Sequence, residues 1–251
     1  MPSSHHTRAG GRSGWVHVRS PAGYVPGVST ALPRPVVVLD LDGTLVDSVY
    51  QHVVAWHAAF HDVGLHVSAV RIHEAIGMGG DRLVAHVAGD PAESAVGDEV
   101  RRLHDTYFRA GLRTITPLDG APELGDALVD RGHRVVLASS GKERHVDAFL
   151  DMLDARDIAD DWTSSADVEA SKPAPDLLHV ALQKLGAPPD APSVMIGDSV
   201  WDVEAAKRAG MPAFVVRSGG FGDDELRNAG AVALYDTPAD LAKALDDTPL
   251  A

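Results

Sequence analysis

Asp40 and Asp42 stand two residues apart where the apolar run Val36-Val37-Val38-Leu39 gives out, inside the stretch VVVLDLDGTLVDS. That run reads as a buried parallel strand, and alternate residues at a strand end point the same way. Gly43 lets the backbone turn sharply and Thr44 can cap the turn, so both carboxylates are fixed on rigid backbone beside a loop. Neighbouring carboxylates repel, and they stay ionised together only beside a cation or hydrogen-bond donors. The pair therefore asks for a metal and for a division of labour between the two acids.

Two further apolar runs end in residues of the same kind. Val135-Val136-Leu137-Ala138 leads into Ser139-Ser140-Gly141, and Ser193-Val194-Met195-Ile196-Gly197 leads into Asp198, Ser199 and Asp202. Lys172, just ahead of Pro173 and Pro175, offers a cation. If the strands are parallel, all these groups face one edge of the sheet, which is where sites of doubly wound folds lie.

The elements that must position them alternate regularly after Pro117. Helices are expected over 122–130, 142–153, 174–185 and from Ser199 to Gly210, with strands at 134–139, 162–164, 193–198, 213–216 and, more weakly, 231–234. This alternation predicts an α/β fold, a Rossmann-like doubly wound parallel sheet. Residues 50–115 break the rhythm: they show helical periodicity, with Val53, Val54, Ala58 and Phe60 on one expected face, and no strand. An all-helical insertion after the first strand follows, so the core is discontinuous, built from 35–49 and 116–251. Residues 1–34, rich in Gly, Pro and Ser, read as a disordered extension.

The 251-residue chain has a formal net charge of −14 and no cysteine. The acidic balance disfavours nucleic acid or an anionic membrane as partner, and the missing thiols exclude disulfides, thiolate metal sites and cysteine nucleophiles. No apolar run approaches the ~20 residues of a membrane span, so a cytoplasmic location is expected.

Taken together, Asp40-Leu41-Asp42-Gly43-Thr44-Leu45-Val46-Asp47-Ser48, Ser139, Lys172, and Asp198 with Asp202 resemble, in order and spacing, the four motifs of the haloacid dehalogenase (HAD) superfamily. The likeness runs from Pro35 to the C-terminus, and the insertion resembles the small helical cap of the phosphoglycolate phosphatase and β-phosphoglucomutase branch. The resemblance implies that Asp40 is a nucleophile forming an aspartyl-phosphate, and that Asp42 acts as general acid and then general base. It also implies Mg²⁺ held by Asp40, the backbone carbonyl of Asp42, and Asp198. Ser139, Ser140 and Lys172 would bind phosphoryl oxygens. Asp202 would orient the ligands from behind, and Ser48 and His52 would position Asp42. Gly79, Gly80 and Arg82 of the insertion would discriminate substrates, and hinges near Val49 and 114–117 would let a cap close. The implied partner is a small phosphorylated metabolite. An acid at Asp42 argues against a dehalogenase, whose halide leaves without a proton. A Mg²⁺-dependent phosphate-monoester phosphatase is favoured, with a β-phosphoglucomutase-like mutase and a catalytically silent binder of phosphorylated ligands as alternatives.

Overall fold

The computed structural model describes residues 34–251. The extension expected over 1–34 therefore lies outside the described residues but for Arg34, whose guanidinium donates to the carbonyl of Ala251 at 2.7 Å.

Six parallel strands form one sheet: β1 (Val36–Leu39), β2 (Val135–Ala138), β3 (Asp161–Thr163), β4 (Ser193–Gly197), β5 (Ala213–Val216) and β6 (Ala233–Tyr235), in the order β3-β2-β1-β4-β5-β6. The order reverses between β1 and β4, so helices cross to opposite faces there and leave a crevice at the carboxyl ends of those two strands. Burial on both faces explains the uninterrupted apolar runs, since β1, β2 and β5 are buried at every position. Side chains nonetheless sort with period two. Val37 and Leu39 pack under α5 (Ala121–Asp130), α6 (Glu143–Leu153) and α10 (Pro238–Ala244), whereas Val36 and Val38 pack under α7 (Asp176–Lys184), α8 (Val200–Ala209) and α9 (Asp223–Ala229).

Between β1 and α5 come α1 (Val49–Asp62), α2 (Ala69–His73), α3 (Gly80–Ala88) and α4 (Asp90–Gly111), which hold an apolar cluster of their own around Phe60, Leu83 and Val100. The inward face of α1 is Val49, Val53, Trp56 and Phe60, spaced four, three and four apart as one helical stripe requires. Val54, expected on that face, lies one residue round the helix and is 68% exposed. The segments entering and leaving the insertion run side by side. The amide of Asp47 donates to the carbonyl of Thr116 at 2.9 Å, and that of Leu118 to the carbonyl of Leu45 at 2.9 Å. Helix α4 reaches furthest: Val100 belongs to the insertion's cluster, but Phe108, two turns on, packs in the cluster beneath the sheet. The turn between them carries His104 and Asp105, both buried.

Other expected elements shift at their ends. The helix expected from residue 174 begins at Asp176 with Pro175 as its N-cap, because a residue directly ahead of a proline, as Ala174 is, is pushed out of the helical backbone region. The weak last strand falls at Ala233–Tyr235.

Candidate active site

The carboxyl ends of β1, β2 and β4 bring Asp40, Asp42, Ser139, Ser140 and Asp198 to one edge, as parallel pairing of β1 with both neighbours requires. Asp40 and Asp198 are buried there with Asp202, and one carboxylate oxygen from each lies within 4.8 Å of the others. Lys172 arrives between them with only 1% of its surface exposed. Its Nζ donates to Asp40 Oδ1 at 2.5 Å and to the carbonyl of Ala138 at 3.0 Å, and it pairs with Asp202 Oδ1 at 2.7 Å. Lys172 is, among the described residues, the only cation inside this cluster of three acids.

Local sequence fixes each acid. Ser199 and Asp202 form a capping box at the start of α8: Ser199 Oγ accepts from the Asp202 amide, and Asp202 Oδ2 accepts from the Ser199 amide at 3.1 Å. Asp202 Oδ2 also accepts from Ser199 Oγ at 2.6 Å, so this oxygen is held by its own turn while Oδ1 faces Lys172 as an ion pair. Thr44 Oγ1 donates to Asp198 Oδ1 at 3.0 Å. Gly43 has φ +78, and a Cβ on it would sit 2.2 Å from Asp198 Oδ2, so only glycine permits this approach of the β1 loop to β4.

Charge inside this cluster is unbalanced. Burial pushes the Asp40 carboxyl up to about 7; Lys172 pulls the other way, while Asp202 and Asp42 add to the rise. Asp198 is held well above the ordinary carboxylate range by burial, then by Asp202 and Asp40. Lys172 is raised above the ordinary lysine value, because Asp202 and Asp40 outweigh the burial that opposes its charge. Hard oxygen donors with surplus negative charge suit a hard divalent cation, whose charge would return both acids to the ionised form.

Asp42 is treated differently. Ser48 Oγ donates to its Oδ1 at 2.7 Å, His52 Nε2 lies 2.9 Å from the same oxygen, and Ser139 Oγ donates to its Oδ2 at 3.2 Å. Burial would raise this acid, but the charge of His52 and the hydrogen bonds from His52 and Ser48 outweigh it and hold the carboxyl at about 2. The two acids two residues apart are thus driven in opposite directions.

A cavity of about 270 Å³ opens over the pair, lined by Asp40 and Asp42 below, by Ser140 and Gly141 at one side, and by Trp56, Gly80 and Arg101 from the insertion. Ser140 Oγ is buried with no hydrogen-bond partner among the described residues. Ser139, by contrast, does not line the cavity: besides donating to Asp42, its hydroxyl accepts from the Gly141 amide at 2.9 Å.

The insertion residues sort unevenly. Gly80 lines the cavity, and a Cβ on it would press Trp56 at 3.2 Å. The Gly79 amide donates to Ser171 Oγ at 2.9 Å, and that hydroxyl donates to Asp81 Oδ1 at 2.5 Å, joining the start of α3 to the residue before Lys172. Arg82 does not line the cavity. It lies one step round α3 from Asp81, its side chain is 44% exposed, and its nearest acid is Asp81 at 3.8 Å. The arginine that lines the cavity is Arg101 of α4, held by Glu93 at 2.8 Å and by the carbonyl of Gly80 at 3.1 Å. Sequence reasoning also missed His104, whose ring meets His52, and the pair of His145 with Asp105; they come from α4 and α6, and no local spacing links them to Asp42.

Residues 35–210 match the family model described as haloacid dehalogenase-like hydrolase. The chain belongs to that family. A phosphoglycolate phosphatase of Rhodospirillum rubrum is 30% identical over 214 residues, covering 82% of this chain and 88% of its own. Among solved structures, a hydrolase from Pseudomonas syringae is 33% identical with a TM-score of 0.80, covering 85% of this chain and 98% of its own. CbbY from Rhodobacter sphaeroides, as a mutant in complex with xylulose-(1,5)bisphosphate, is 27% identical with a TM-score of 0.67, covering 83% of this chain and 96% of its own. This HAD-like hydrolase has, among the described residues, no helix long and apolar enough to cross a membrane.

Proposed function

We propose that this HAD-like hydrolase is a Mg²⁺-dependent phosphatase of small phosphate monoesters, working through an aspartyl-phosphate on Asp40. The observation that carries the reading is the contrast between the two acids: Asp40 faces the cavity from the side of Lys172, while Asp42 faces it with a histidine and two serines on its carboxylate. Two acids with such different neighbours suit two roles: a divalent cation would return Asp40 to the ionised form that attacks, and the His52 ring would supply the proton that Asp42 passes on.

Asp40 attacks the phosphorus in line, and the P–O bond to the leaving alcohol breaks as the new O–P bond forms. The alkoxide needs a proton, which the Asp42–His52 pair holds across 2.9 Å. The same pair then takes a proton from the water that attacks the phosphorus of the aspartyl-phosphate, returning Asp40 and releasing inorganic phosphate. Asp40, Asp198 and the backbone carbonyl of Asp42 would hold Mg²⁺, which supplies charge stabilisation to the transferring phosphoryl group. Asp202 and Thr44 orient those ligands from behind. Lys172 holds Asp40 in place and offsets phosphoryl charge, and Ser140, whose hydroxyl lacks a protein partner, is the fitting donor to a phosphoryl oxygen. Residues 50–115 act as a cap over the core, with Gly79 and Gly80 shaping its inner surface. The phosphoglycolate phosphatase named above and the bisphosphate bound to CbbY both point to small phosphorylated metabolites as substrates.

The test is hydrolysis of p-nitrophenyl phosphate by wild type and Asp40→Asn, with Mg²⁺ and with EDTA, then a panel of phosphorylated metabolites. Turnover that needs both Mg²⁺ and Asp40 is expected. A folded, Mg²⁺-supplied wild type that hydrolyses nothing on the panel would sink the reading.

A further inference from the structure

His104 lines the cavity, touches neither acid, and has no part in the chemistry above. Its Nε2 lies 3.0 Å from Nδ1 of His52, whose other ring nitrogen faces Asp42 Oδ1 at 2.9 Å. Asp42, His52 and His104 therefore form one chain, from the core through α1 to α4.

Everything around His104 immobilises it. Its ring stacks on Trp56 with centroids 3.9 Å apart, and the His52 ring stacks on Phe108 at 3.7 Å. The next residue, Asp105, accepts from His145 Nε2 at 3.0 Å and from Arg144 Nε at 2.9 Å, which ties this turn of α4 to α6 of the core. A ring gripped on its face, with its neighbour in sequence clamped to another element, presents Nε2 at a set place.

A buried imidazole with two polar neighbours has its tautomer set by the bond that its far nitrogen makes. With an acceptor at His104 Nε2, the His52 Nδ1 keeps its hydrogen, and His52 Nε2 alone is left to exchange a proton with Asp42. Burial keeps the His104 ring uncharged, with His52 and His145 adding to that effect, so it has a lone pair to offer. We propose that His104 is a positioning residue that fixes the Nδ1–H tautomer and the ring orientation of His52, and through it the proton supply of Asp42. The inference rests on the phosphatase reading and deepens it.

The prediction concerns substrates that differ in their need for a proton. Phenyl phosphate leaves as a more basic oxyanion than p-nitrophenyl phosphate, so its cleavage leans harder on the acid. His104→Leu should lower kcat/KM, which reports the steps up to phosphoryl transfer, about 10- to 100-fold on phenyl phosphate, the range for losing a partner that orients a functional group, with a clearly smaller loss of kcat/KM on p-nitrophenyl phosphate. His104→Gln, whose amide oxygen can accept from His52 Nδ1, should recover much of the loss. Nitrogen-15 spectra of histidine-labelled protein should show His52 protonated at Nδ1 in the wild type and altered there in His104→Leu.

Equal losses on both esters, or no loss on either, in a His104→Leu protein that melts as the wild type does would overturn the proposal. So would a wild-type His52 bare at Nδ1. If the wild type hydrolyses neither ester, it is the phosphatase reading that falls, and the nitrogen-15 spectrum still decides whether His104 sets the His52 tautomer.

Discussion

Replacing the proposed nucleophile should make the metal-free protein more stable. Asp40 is 4% exposed, and burial lifts its carboxyl from the ordinary 3.8 to about 7. An acid raised in the folded state binds its proton more tightly there than in the unfolded chain. Its contribution is therefore fully present below the unfolded value near 3.8, is lost as pH rises towards 7, and stays lost above. At 1.36 kcal/mol per decade of proton affinity, the ceiling for that loss is ~4 kcal/mol, and water entering the cavity reduces it to about 2 kcal/mol. Asp40→Asn removes the charge but keeps an oxygen for Lys172. In EDTA at pH 8 the variant should melt about 4–8 °C above wild type, given ~2–4 °C per kcal/mol for a chain of this size, and the gap should shrink severalfold by pH 4.5. Saturating Mg²⁺ should raise the wild type more than the variant, because the ion supplies the missing countercharge. A variant no more stable than wild type at pH 8, or one stabilised equally at both pH values, would refute the electrostatic argument for the acid cluster.

His145 is expected to govern the acid limb of stability. Burial first, and then the charge of His52, push its imidazole from 6.5 down to about 4. Unfolded chains take up this proton below 6.5 while the folded protein resists until about 4, so stability falls as pH drops through that window, by at most ~3 kcal/mol. His145→Gln should flatten the pH dependence of urea unfolding between those limits, and an unchanged slope would show that the ring titrates freely. For Ser140, whose hydroxyl lacks a partner among the described residues, Ser140→Ala should weaken inhibition by inorganic phosphate about 10- to 100-fold, the worth of one hydrogen bond to a charged group, with melting unaffected. An unchanged inhibition constant would remove Ser140 from the phosphate site.

The sequence was most legible where local chemistry and fold coincide. The run Val36–Leu39 could only be a strand buried on both faces, and the order of the parallel sheet then forced Asp40, Asp42, Ser139 and Asp198 to one edge. The Ser199–Asp202 spacing was legible as a motif, and its capping box gives it a local cause as well. Legibility ended where position depends on how helices turn. Val54 and Arg82 each sit one residue from an inward-facing neighbour, and a step of one residue swings a side chain about 100° round a helix. Lys172 was legible as a cation for the site but not as a fully buried one, because the acids that enclose it come from elsewhere in the chain, Asp40 132 residues before it and Asp202 on α8 after it. His104 and His145 carry no signal at all in sequence, since their tie to His52 exists only once α4 and α6 meet.

Rapid quench reads whether Asp40 carries the phosphoryl group during turnover. Enzyme and Mg²⁺ are mixed with an excess of a phosphorus-32-labelled ester, stopped in acid within milliseconds, digested, and the labelled peptide identified. Acid-stable, hydroxylamine-labile label is expected on the peptide that contains Asp40, and none in Asp40→Asn. Turnover by wild type with label on another residue would contradict Asp40 as the carrier.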